Sequence, residues 1–168
     1  MITSLQILLA YLGKIGLAMA LGLILGSERE EQNKPAGIRD VTLATLGATL
    51  YTLIALELVT ISNQLGMAVK YDMGRIIAYT IVAIGFLGSG VIMQHKNKLE
   101  GITTAGTLWC AVGLGICCGL GLYHLAILSA VSVYFILKLK HIRITFESRK
   151  KRRKICQKRK LKLSEKKS

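Results

Sequence analysis

The sequence has one proline, 19% charged residues and 6% aromatic residues. A single proline leaves long helices uninterrupted. The charge content falls short of the roughly 25% usual in soluble domains, which excludes a disordered chain and argues against an ordinary globular protein. Acidic groups are scarce: nine Asp and Glu face 23 Lys and Arg, for a net charge of +14. Four cysteines are too few for a disulfide scaffold. No nucleophile, base and orienting acid stand in a recognisable pattern, so an enzyme is not expected. His95, His124 and His141 lack partners at zinc-ligand spacing.

Apolar residues are abundant, at 52% of 168 residues with a mean hydropathy of +0.47. A membrane-crossing helix needs about 20 mostly apolar residues. Residues 5–26, with Lys14 as the only charge, 41–61, with Glu57 as the only charge, and 76–93, with none, meet that need. Ile102–Leu137 lacks Lys, Arg, Asp and Glu throughout, and as one helix it would reach about 54 Å, too long for a bilayer. Gly119 and Gly121 offer a turn, which divides the run into spans 102–118 and 120–137. The expected fold is therefore an all-α polytopic bundle of five spans over residues 1–140, followed by a polybasic tail over 141–168.

Charge placement supports an odd number of spans. With five, the loops 27–40 and 94–101 and the chain from Lys138 onward share one side and carry 20 of the 23 basic residues. Positive residues stay cytoplasmic, which places the N-terminus outside and the tail inside. The first span is not read as a cleaved signal peptide: its apolar part is too long, and no small-residue cleavage site precedes Glu28.

Several residues stand out against this background. The loop Glu28-Arg29-Glu30-Glu31-Gln32-Asn33-Lys34-Pro35-Ala36-Gly37-Ile38-Arg39-Asp40 carries carboxylates able to hold Mg²⁺, or charges that simply pair locally in a solvated hairpin. Pro35 and Gly37 are expected to shape its turn. Arg29 and Arg39 contact lipid phosphate or enforce orientation. Lys14 and Glu57 lie about 18 Å and 24 Å up their helices from the cytoplasmic side. They are expected either to form an ion pair in the outer half of the membrane or to snorkel separately. Gly85, Gly88 and Gly90 each weaken a helix, and close helix contact is the favoured compensation, ahead of a broken helix. Gly22 with Gly26, and Gly115 with Gly119, repeat small-x-x-x-small spacing and mark further contacts, within one chain or in a homo-oligomer.

Thr103 or Thr104 is expected to cap the fourth helix, or with Thr107 to line a polar vestibule. Trp109 lies too deep for an interfacial anchor and is expected between helices. Cys110, Cys117 and Cys118 read as small packing residues. In the tail, Arg149, Lys150, Lys151, Arg152, Arg153 and Lys154 form a segment attracted to anionic phospholipid. Nucleic acid is the weaker partner, because no aromatic residues interleave to stack bases.

Gly26-Ser27-Glu28-Arg29-Glu30, Lys34-Pro35-Ala36-Gly37-Ile38-Arg39, Leu46-Gly47-Ala48, Ile84-Gly85-Phe86-Leu87-Gly88-Ser89-Gly90-Val91-Ile92 and Gly101-Ile102-Thr103-Thr104-Ala105 with Leu108-Trp109 follow one another in order. Together, over about residues 8–137, they resemble the MgtC/SapB family of bacterial membrane proteins. The resemblance implies a helical protein of the bacterial cytoplasmic membrane, linked to growth at low Mg²⁺ and, in some pathogens, to survival inside macrophages. It further implies action through a membrane partner such as the F-type ATP synthase or a cation transporter; no cofactor is expected apart from a Mg²⁺ ion that the loop carboxylates could hold. A Mg²⁺ transporter or channel is the alternative, with Glu28, Glu30, Glu31, Asp40, Thr103, Thr104 and Thr107 at its mouth. Asp40-Val41 replaces the Thr-His usual in the family, and Tyr79 and Val82-Ala83 replace a Gln and a Ser-Gly pair. The basic tail stands where longer members carry a cytoplasmic domain.

Overall fold

Uninterrupted apolar runs fold into helices because a lipid-embedded backbone must satisfy its own N–H and C=O groups. The computed structural model describes residues 2–66, 72–95 and 98–139. Four of its helices are long and apolar enough to cross a membrane: α1 (Ile2–Glu31), α2 (Ile38–Gln64), α3 (Met73–Val91) and α4 (Ile102–Leu120). A fifth, α5 (Tyr123–Leu139), is apolar but shorter. The protein is an all-helical membrane protein, with one small addition between α3 and α4. There β1 (Met93–His95) pairs antiparallel with β2 (Lys98–Glu100), Gln94 facing Leu99.

The helix boundaries follow from local chemistry. Asp72 caps α3, its side chain accepting from Arg75 N at 3.3 Å. The third apolar stretch extends to Met93, but α3 stops at Val91 because the hairpin takes over the next residues. Gly101 then opens α4 at φ +91°, where an added Cβ would strike the Val91 carbonyl, so glycine is required there. Neither Thr103 nor Thr104 caps α4; Gly101 holds that position and its carbonyl accepts from Ala105 N at 2.9 Å. α4 ends as its glycines foretold, though α5 starts at Tyr123 and not at residue 120. Gly121 sits at φ +78°, Leu122 N donates to Cys117 O at 2.9 Å, and Gly121 N donates to Cys118 O at 3.1 Å. These two bonds form a Schellman motif and consume the residues between the helices.

The chain divides into two compact units, Met1–Val133 and Tyr134–Ser168. In the first, α1, α2 and α4 form a tight core containing Ala18, Leu25, Val41, Ala48, Ala55, Ala111 and Leu114. α3 buries only Ile84 and Gly88. Within the second unit, Lys138 Nζ lies 5.0 Å from the centre of the Tyr134 ring. The basic run Arg149–Lys154 lies outside the described residues.

Candidate functional site

The most polar part of the fold is where the end of α1 meets the starts of α2 and α4. Arg29 and Glu28 are both buried there, at 2% and 3% exposure. Arg29 Nη2 donates to Thr104 Oγ1, joining α1 to α4, and Gln32 Nε2 donates to Glu28 Oε1 one turn on. Arg29 Nε has no hydrogen-bond partner among the described residues. Arg29 is thus an interior residue, placed there because its helix position faces α4 and not the bilayer surface.

The loop carboxylates turn towards backbone. Glu30 Oε2 accepts from Ile38 N, and Asp40 Oδ2 accepts from Gly37 N, each at 3.1 Å. Both place negative charge at the start of α2, where free N–H groups favour it. The turn bends at Asn33 (φ +51°) and Ala36 (φ +57°), the two positions on either side of Lys34-Pro35 that take left-handed conformations. Glu31 and Arg39 are exposed. No group of three or more His, Cys, Asp and Glu residues able to hold a metal ion comes together among the described residues. Glu30 and Asp40 fit a Mg²⁺ ion poorly, since each has one oxygen committed to the turn.

From this end a seam of glycines and threonines runs along α2. A Cβ on Gly26 would lie 2.6 Å from Ile38 Cα, and one on Gly22 2.8 Å from Thr42 Cα, so α1 and α2 touch through backbone. Further along the same threonine-bearing stretch of α2, Gly115 of α4 abuts the Thr45 carbonyl, and a Cβ on Gly119 would lie 2.6 Å from Thr52 Cβ. Thr42, Thr45, Thr49 and Thr52 fill the space between, all buried. Thr45 and Thr52 bond back to Val41 O and Ala48 O, at 2.9 and 2.8 Å. Thr49 Oγ1 lies 2.9 Å from both Thr45 O and Gly115 O, tying α2 to α4. Back-bonding satisfies the hydroxyls of Thr45, Thr49 and Thr52 and leaves their methyl groups to pack, whereas Thr42 Oγ1 has no hydrogen-bond partner among the described residues. The spacing 42, 45, 49, 52 is that of one helix face and was the signal for this seam; the glycine spacing found only its other half.

The remaining candidates separate. Thr104 and Thr107 are buried, with Thr107 Oγ1 donating to Thr103 O at 2.8 Å, whereas Thr103 is exposed. Three threonines therefore do not share a vestibule. Gly88 meets Ala105 at 3.5 Å, but an added Cβ on Gly85 or Gly90 would find nothing within 4 Å, so close packing does not explain those two. Trp109 is 59% exposed and faces outward, not between helices. Cys110, Cys117 and Cys118 are free thiols.

Lys14 and Glu57 are not paired. Lys14 Nζ donates to Gly119 O at 2.9 Å, and Glu57 Oε1 accepts from Tyr11 Oη. Lys14 meets the end of α4, whose last carbonyls have no intrahelical partner and carry partial negative charge that an ammonium satisfies.

Comparison with known proteins agrees with this architecture. The MgtC family model matches residues 15–144. The chain is 34% identical over 128 residues to protein MgtC of Salmonella typhimurium, covering 76% of this chain and 51% of the relative. It is 33% identical over 127 residues to an uncharacterised protein of Haemophilus influenzae, covering 75% and 53%. With protein SapB of Bacillus subtilis the identity is 31% over 121 residues, covering 71% and 52%. The chain spans about half the length of these curated relatives. No solved structure gives a significant match. The ordered motifs, the apolar helices and these likenesses together make the chain a member of the MgtC/SapB family of membrane proteins.

Proposed function

We propose that the protein serves cation homeostasis, Mg²⁺ above all, or membrane energetics by acting on a membrane partner such as a cation transporter or the ATP synthase, without conducting the ion itself. The observation that carries this reading is the buried Arg29 guanidinium beside Thr104. A divalent cation entering between α1 and α4 would meet that guanidinium, beside the one buried carboxylate of Glu28 and with no cluster of ligands among the described residues to receive it. Backbone contacts at Gly22, Gly26, Gly115 and Gly119 leave no width for a hydrated ion along the same seam. The name of the Salmonella relative supports the link to Mg²⁺.

In this reading the chain crosses the bacterial cytoplasmic membrane five times, with α5 as the last crossing and the basic residues inside. Arg149–Lys154 then meets anionic phospholipid at the inner surface. Purified protein in liposomes is expected to pass no Mg²⁺, while affinity capture from membranes recovers a transporter or ATP synthase subunit. A saturable Mg²⁺ flux abolished by Glu28→Ala or Asp40→Ala overturns the reading in favour of a channel.

A further inference from the structure

α2 and α3 are held apart on one side of the first unit, leaving an open groove of about 820 Å³ floored by Leu108 and Val112 of α4. We propose that this groove is a binding site for an acyl chain of an ethanolamine phospholipid, whose headgroup meets Asp40 and Arg39. Four observations carry the assignment. First, apart from Asp40 at one end and a few hydroxyls, the lining is apolar. Second, the groove runs from Asp40 to Tyr51 along α2, about 17 Å, and from Val91 to Ile76 along α3, about 22 Å. That is the depth of one leaflet, about 15 Å of hydrocarbon and about 20–22 Å with its headgroup region, and falls short of the 30 Å that a crossing partner helix would occupy.

Third, the groove's width is built in by small side chains. Ala44 and Gly47 on α2 face Ala83 on α3. A Cβ on Gly47 would find nothing within 4 Å, so no helix contact requires glycine there. Glycine weakens a helix interior, and what its absence of side chain leaves here is space. Fourth, the mouth offers both charges of a zwitterion. Asp40 is exposed and lines the groove, with one carboxylate oxygen on Gly37 N, which leaves the other to accept an ammonium. Arg39, the neighbouring residue on the first turn of α2, does not line the groove, but it is exposed and in no ion pair among the described residues, and it supplies the positive charge for the phosphate in this proposal. A lipid with net negative charge gains the arginine but not the carboxylate.

The test is native mass spectrometry of the full-length, delipidated protein offered equal amounts of phosphatidylethanolamine and phosphatidylglycerol with identical acyl chains. Retention of one phosphatidylethanolamine is expected, preferred by about fivefold, the size of one partly exposed charge pair. Asp40→Asn, which keeps an acceptor for Gly37 N, brings the two lipids to parity. Gly47→Leu on one wall and Ala83→Leu on the other each fill the groove and abolish retention of both, with unchanged helical circular dichroism. Equal retention of the two lipids by the unmodified chain, or retention undiminished in both groove-filling variants, overturns the proposal. So does a dimer of the unmodified chain that dissociates on Gly47→Leu, since a second copy would then be the occupant.

Discussion

α2 has two contrasting neighbours. Against α1 and α4 it packs backbone to backbone through Gly22, Gly26, Gly115 and Gly119, with buried threonines between them. Against α3 it leaves a groove, and a Cβ added at Gly85 or Gly90 of α3 would meet nothing within 4 Å. Both regions are rich in glycine, yet in one the missing side chain permits contact and in the other it does not. Membrane helices gain little from burying apolar surface against each other, because lipid is equally apolar. Tight association must therefore come from close van der Waals contact and hydrogen bonds, which the seam has and α3 largely lacks.

Substitutions sharpen this contrast. Gly115→Leu is expected to have the largest effect, because its side chain would begin at the Thr45 carbonyl; loss of the folded monomer in detergent is the readout. Gly115→Ala is expected to cost about 1–3 kcal/mol in the same unfolding measurement, as overpacking does in tight cores. Arg29→Ala, which removes the bond to Thr104 and one of the two buried charged groups among the described residues, is expected to cost about 1.5–3 kcal/mol. Lys14→Met is expected to cost about 1 kcal/mol, through loss of the positive charge at the end of α4. A double-mutant cycle with Glu57→Gln should then show coupling below about 0.5 kcal/mol, as for residues without a shared partner. The smallest effect has the opposite sign: Gly85→Ala should stabilise α3 by about 0.5–1 kcal/mol, since no neighbour opposes a methyl group. If Gly85→Ala destabilised the protein as strongly as Gly115→Ala, the contrast between the two regions would fail.

Much of this architecture could be read in advance from hydropathy. The apolar runs and the turn at Gly121 follow from lengths and residue types that act locally. Glycine spacing located Gly22, Gly26, Gly115 and Gly119, but the same spacing pointed to Gly85 and Gly90, where an added Cβ would meet nothing. Spacing defines a face; it does not say which face turns inward, and in lipid both faces are apolar. The depths of Lys14 and Glu57 were legible for the same reason that their partners were not. Depth depends on rise per residue, whereas partnership depends on helix rotation, which brought Gly119 O to one and Tyr11 to the other. Arg29 looked like a surface charge because its sequence neighbours are polar. Its burial is set by Thr104, a residue of another helix.

That same bond constrains the order of assembly during biosynthesis. Arg29 and Thr104 are 75 positions apart. At a translation rate of about 5–20 residues per second, the guanidinium emerges roughly 4–15 s before its acceptor is made. Over that interval the first helix has no hydroxyl from the fourth to satisfy it, and the charged end must stay in contact with water or headgroups. Docking of the nascent amino-terminal helix into its final depth therefore waits for the ribosome to finish the fourth.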